Sequence, residues 1–181
     1  LTPLPPYIRR DRGAVDTDRD RYQTVYAKER GAIAAPTAGL HFTPEMFDRL
    51  SAAGAEVAEI TLHVGYGTFE PVRADDLANH RVSPESYSIG EQTAVVLNQA
   101  KSEGRRIIAI GTTTTRALES SNRSTGQFES GKYIADLTIT PGYEFHAVDA
   151  LLTNFHLPQS SLLVLTAAFG GHGLIMNAYH H

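Results

Sequence analysis

The 181-residue chain has no cysteine, which removes disulfides, thiolate nucleophiles and cysteine-based zinc sites together and fits a reducing compartment. Long apolar runs are missing as well. None approaches the roughly twenty residues of a membrane-spanning helix, and no charged-then-apolar leader opens the chain. The expectation is a soluble, cytoplasmic protein without membrane contact. Nor is positive charge in excess: a net charge of -4 argues against a broad basic surface for nucleic acid. Basic residues do gather early, at Arg9, Arg10, Arg12, Arg19, Arg21, Lys28 and Arg30. Asp11, Asp16, Asp18, Asp20 and Glu29 dilute them, so a local RNA contact and a solvated helix face both fit. There is no internal repeat and no low-complexity segment.

What remains is an ordinary globular composition, 41% hydrophobic, long enough for one core, so a single domain over 1–181 and a monomer are expected. The chain opens on Leu1 and stops at His180-His181 directly after a helical pattern, so it is expected to be part of something longer.

The most informative stretch is 105–120. It passes from the apolar run Ile107-Ile108-Ala109-Ile110 through Gly111 and four threonines to the helix-like Arg116-Ala117-Leu118-Glu119. A continuous apolar run suits a strand buried on both faces, hence an α/β fold: a layered α/β/α domain with a mixed or mostly parallel sheet. Ligands of such sheets bind outside the strands' C-terminal ends, and a helix N-terminus there offers N–H donors to a phosphate, a carboxylate or a ribose diol. Gly111, Thr112 and Thr113 are therefore ligand candidates. The other reading is a threonine cap that merely starts a helix. The Gly-Lys-Ser/Thr loop of nucleotide hydrolases is absent.

Elsewhere, three prolines in 1–6 make an extended lead-in, and Asp16 or Thr17 caps a helix to about Glu29 with Tyr22, Val25 and Tyr26 on one side. The small apolar segment 31–42 reads as a close-packed loop. Thr43-Pro44 starts a helix that Gly54 ends. A strand over 57–64 runs into Gly65-Tyr66-Gly67-Thr68, which lacks the third glycine and the following helix of a dinucleotide fingerprint but lets a ligand approach backbone. Strands follow at 85–89, 133–139 and within 145–152, with helices at 90–104 and 162–169 and a polar, aromatic loop at 153–158.

Several of these loops together resemble one family. They are Leu4-Pro5-Pro6-Tyr7-Ile8, Arg21-Tyr22-Gln23-Thr24-Val25-Tyr26-Ala27, Ala35-Pro36-Thr37-Ala38-Gly39-Leu40-His41-Phe42 and Leu62-His63-Val64-Gly65-Tyr66-Gly67-Thr68-Phe69. Gly111-Thr112-Thr113 with Arg116 and Glu119-Ser120, Pro141-Gly142-Tyr143 and Leu152-Thr153-Asn154-Phe155-His156-Leu157-Pro158 complete the set. In this order they resemble the S-adenosylmethionine:tRNA ribosyltransferase-isomerases of queuosine biosynthesis. The resemblance implies transfer of the ribosyl part of S-adenosylmethionine to preQ1 at the tRNA wobble position, giving epoxyqueuosine and releasing adenine and methionine. It implies tRNA carrying preQ1 as partner, S-adenosylmethionine as co-substrate, no permanently bound cofactor and no metal. It further implies a larger α/β domain with a small inserted β-barrel, of which this chain resembles the larger domain without the barrel, the first strands upstream or the final segment downstream. The chain departs from the family at His80-Arg81-Val82-Ser83-Pro84-Glu85, where Ser83 stands for a second histidine and Val82 for a methionine. The competing reading is a non-catalytic tRNA-binding remnant or paralogue.

Such a reaction needs a base for the proton on the carbon beside the sulfonium and an acid for departing adenine. His41, His63, His156 and Glu85 are the candidate proton carriers, since no thiol exists. A lone histidine is more often structural, and three imidazoles also make a zinc triad, but the three lie at element ends where loops gather. Co-substrate candidates are Thr37, Gly65, Gly67, Thr68, Gly111, Thr112, Thr113 and Arg116, the last as a carboxylate or phosphate partner or merely a helix salt bridge. Asp136 and Asn154 are candidates for orienting ribose or deazaguanine, and Arg9, Arg10, Tyr7 and Tyr22 for touching the anticodon stem. His41, His63 and Thr112 are expected to share one pocket.

Overall fold

The computed structural model describes residues 21–65, 72 and 77–181. Five strands and five α-helices follow within them in the order α1 (Pro44–Ala52), β1 (Ile60–His63), β2 (Glu85–Ile89), α2 (Glu91–Ser102), β3 (Ile108–Ile110), α3 (Thr112–Asn122), β4 (Gly131–Ala135), β5 (Ala150–Leu152), α4 (Ser161–Gly170) and α5 (His172–His180). Short 3₁₀ turns occupy Thr37–His41 and Leu77–Asn79.

The strands form two sheets. One is antiparallel in the order β1-β2-β4, with Leu62 opposite Tyr87 and Tyr87 opposite Tyr133. Alternation along β2 decides its faces: Glu85, Tyr87 and Ile89 point inward and Ser86 outward. The Tyr87 and Tyr133 rings lie 5.6 Å apart on the inner face. The second sheet pairs β3 and β5 in parallel, from Ile108 opposite Ala150 to Ile110 opposite Leu152. Leu97 and Ala100 of α2 and Ala117 and Leu118 of α3 join Tyr87, Ile89, Ala109 and Phe128 in the main core. A smaller core brings Leu165 of α4 onto Leu137 and Ile139.

Four expectations are corrected here. The helix expected over 16–29 does not run past Arg21; residues 22–30 are turns and irregular chain, with Ala27 N–H closing onto Thr24 C=O. The fold is α/β as expected; in place of one mixed or mostly parallel sheet, the described residues form a three-stranded antiparallel sheet and a separate parallel pair. The strand taken as buried on both faces is not, since Ile108 is 55% exposed while Ala109 is covered. A run of three apolar residues looks alike in a central strand and in one with a single described neighbour. Likewise 145–149 is not strand; this segment wraps a buried carboxylate instead.

Gly111 makes the turn from β3 into α3 with φ of 96°, a left-handed conformation that costs glycine nothing. Thr43 caps α1 by accepting from Met46 N–H, and Ser160 caps α4 by accepting from Leu163 N–H. Among the described residues no single helix is long and apolar enough to cross a membrane, and α4 and α5 meet at 116° across Gly171.

Candidate functional site

The C-terminal ends of β3 and β5 are tied together, because Gly111 N–H donates to Leu152 C=O at 2.8 Å. That bond sets the start of α3 beside the loop Thr153-Asn154. The 3₁₀ turn Thr37–His41 closes over the same place: Ala38 lies in van der Waals reach of Gly111, and His41 meets Asn154. The turn itself needs Gly39, since a Cβ there would collide with the Tyr26 hydroxyl.

His41 Nε2 and Asn154 Oδ1 are 2.7 Å apart. An amide oxygen only accepts, so Nε2 donates this bond, and in the neutral form of the ring the lone pair lies on Nδ1. This is the arrangement of an oriented base.

Beside this rim lies a shallow cleft, enclosing about 20 Å³, lined by Val82, Glu85, Thr112, Thr113, Arg116, Ile139, Ser161, Leu162 and Leu165. The N-terminal turns of α3 and α4 both reach it, one wall is apolar, and the polar wall is built on a buried ion pair. Arg116 Nη1 is 3.2 Å from Glu85 Oε2, each residue being 6% exposed. Its Nη2 donates to Ser83 C=O and Ala135 C=O, both at 2.7 Å. Burial pulls the Arg116 pKa down, while Glu85 and Asp136 pull it back up. The guanidinium thus pins one carboxylate and two backbone carbonyls, one just before β2 and one at the end of β4.

The candidate residues therefore fall into groups. Glu85, Thr112, Thr113 and Arg116 share the cleft, while Thr37, His41, Gly111 and Asn154 make the adjoining rim. His63 sits elsewhere: on β1 opposite Ser86, its ring against Gly31, outside the cleft lining. His156 is bonded through Nε2 to the Thr153 hydroxyl at 3.0 Å, and burial lowers its pKa to about 4. It is neutral at physiological pH. Gly65 follows β1, Tyr22 is half-buried and Asp136 is exposed next to Ala135. Arg9, Arg10, Gly67 and Thr68 lie outside the described residues. Among those described, no three His, Asp or Glu side chains are placed to hold a metal ion together.

Sequence reasoning missed two features. His80 Nε2 lies 2.8 Å from the Ser161 hydroxyl at the cleft's edge. The signal was present in the His80–Glu85 spacing, but nothing local linked it to a helix start far downstream. Glu119, 1% exposed, accepts from Tyr143 hydroxyl and His146 N–H at Oε2 and from Ala147 and Val148 N–H at Oε1, all within 2.9–3.0 Å. Burial and that carboxylate push the Tyr143 pKa up.

A family model described as queuosine biosynthesis protein matches residues 1–181. The S-adenosylmethionine:tRNA ribosyltransferase-isomerase of Syntrophotalea carbinolica is 55% identical over 98% of this chain and 51% of its own length. Those of Geotalea uraniireducens and Mesorhizobium japonicum are 54% and 53% identical over 98% and 99% of the chain and 51% and 50% of theirs. The chain thus spans about half the length of the curated relatives it matches. A crystal structure of S-adenosylmethionine tRNA ribosyltransferase from Thermotoga maritima is similar with a TM-score of 0.62, at 42% identity, over 79% of this chain and 44% of that one.

Proposed function

Because the chain belongs to the queuosine biosynthesis protein family, we propose that it acts as an S-adenosylmethionine:tRNA ribosyltransferase-isomerase. It moves the ribosyl part of S-adenosylmethionine to preQ1 at the tRNA wobble position, forms epoxyqueuosine, and releases adenine and methionine. The observation that carries this reading is the unbroken match along the chain to proteins of that name, at 55% identity in one relative. S-adenosylmethionine is a co-substrate here, tRNA the partner, and the protein a cytoplasmic monomer; the absence of cysteine fits that reducing compartment.

The chemistry distributes over cleft and rim. Thr112, Thr113 and the first N–H groups of α3 hold the ribose diol or the methionyl carboxylate, using donors that the helix itself leaves unused. Glu85 faces the same space, and Arg116 fixes its position through the ion pair and the Ser83 and Ala135 carbonyls. His41, oriented by Asn154, supplies the Nδ1 lone pair that takes the proton from the carbon beside the sulfonium. His156, held neutral by burial, serves as a hydrogen-bonding group and not as an acid near pH 7.

The test is to incubate the protein at its natural length with S-adenosylmethionine and preQ1-containing tRNA and to measure adenine. Adenine and methionine in equal amounts, dependent on the tRNA, are expected. One observation favours a second reading: Ser83 stands where the resembling family has a histidine, and its carbonyl is tied to Arg116. If tRNA binds but no adenine is released above background, the protein is a binding remnant.

A further inference from the structure

Phe155 is 73% exposed, yet the loop that carries it is firmly held. On one side His41 fixes Asn154 at 2.7 Å. On the other, His156 N–H donates to the Tyr179 hydroxyl at 2.7 Å, and the His156 ring bonds the Thr153 hydroxyl. The Tyr179 ring itself meets Phe155 in a T-shaped contact, centroids 4.8 Å apart and planes at 76°. The aromatic ring is thus fixed in place and left in water, forgoing most of the stabilisation that burial gives a phenylalanine.

Its position narrows what it serves. Phe155 is not among the residues lining the cleft, so a small co-substrate seated there would leave it free. It stands three residues past Leu152, whose carbonyl bonds Gly111, and so on the same rim as His41 and Thr112. A net charge of -4 argues against a broad basic surface for RNA on this chain, which favours recognition through a few specific contacts. An unpaired base offers a flat face for such a ring and polar edges for the neighbouring Asn154 amide and Thr153 hydroxyl.

We propose that Phe155 is a stacking platform for an unpaired base of the RNA substrate, placed on the rim of the cleft where the reaction occurs. This rests on the function proposed above. The chain contains no tryptophan, so Phe155→Trp adds an indole whose signal is read as the difference from the parent protein. In the natural-length protein, an anticodon stem-loop should quench that indole and S-adenosylmethionine alone should not. Phe155→Ala and Phe155→Leu should each raise the KM for tRNA roughly ten- to hundredfold, the range for losing one stacked base. The KM for S-adenosylmethionine and kcat should stay unchanged, and Phe155→Trp should keep the parent KM. A rise in the KM for S-adenosylmethionine instead would assign the ring to the co-substrate's adenine and overturn the proposal, as would an unchanged tRNA KM in both variants. Should the parent release no adenine, the enzymatic reading fails by itself, and quenching by the stem-loop still decides whether Phe155 stacks on RNA.

Discussion

Two buried carboxylates lie against one helix and are satisfied in opposite ways. Glu119, on α3, is enclosed by four donors from the segment 143–148 and is not among the residues lining the cleft. Glu85, on β2, is balanced by the Arg116 guanidinium of the same helix α3 and faces the cleft. Backbone donors can neutralise a carboxylate only where the chain wraps it completely, and a wrapped carboxylate reaches no ligand. A carboxylate paired with an arginine at the cleft's edge remains part of the cleft lining. Burial alone therefore does not separate structural from functional groups in this protein; the kind of partner does.

The largest effect should come from breaking the second arrangement. Arg116→Ala leaves Glu85 buried without its cation and two carbonyls without their donor, and should cost about 3–5 kcal/mol in urea unfolding. Replacing both members with apolar residues, Arg116→Met with Glu85→Leu, should recover much of that stability and none of the turnover. Equal losses in single and double variants would remove the pair from the account.

Glu85→Gln keeps the shape and should lower kcat about a hundredfold or more while the fold survives, as expected for a positioned proton carrier. Glu119→Gln should do the reverse. Its amide would set N–H groups against N–H groups, costing about 2 kcal/mol of stability, with kcat per folded molecule unchanged. If the two substitutions have the same profile, the contrast between the carboxylates is wrong.

The smallest effect is a pH limb. The His156 pKa is near 4 in the folded protein, below the ordinary 6.5, so the unfolded chain binds the proton first as pH falls. Its contribution is complete above about pH 6.5 and declines toward pH 4, by roughly 1–2 kcal/mol for a partly solvated ring. Stability curves of the parent and His156→Gln should diverge only in that window.

Much of the local structure was legible beforehand. The strand at Glu85–Ile89, the strand-to-helix turn at Gly111 and the helix start at Thr43-Pro44 were all read from the residues. The strand partners were not legible, because β1, β2 and β4 pair antiparallel across long stretches of chain and Ile107-Ile108-Ala109-Ile110 reads the same with one neighbour or two. Of the site, Thr112, Thr113, Glu85 and Arg116 were named and do share a cleft, whereas its apolar wall from α4 and the His80–Ser161 contact had no local mark. His63 looked equivalent to His41 by its glycine-rich surroundings, yet packs against Gly31 outside the cleft lining.

By itself, then, the chain of residues settled most helices from Thr43 onward, several turns and its family likeness, because propensity, capping and motif order act over a few neighbours. Tertiary structure alone decided that Arg116 would meet Glu85 and that Glu119 would be wrapped by 143–148. A buried charge takes whichever partner packing brings within about 3 Å, and that partner leaves no trace in the residues next to it.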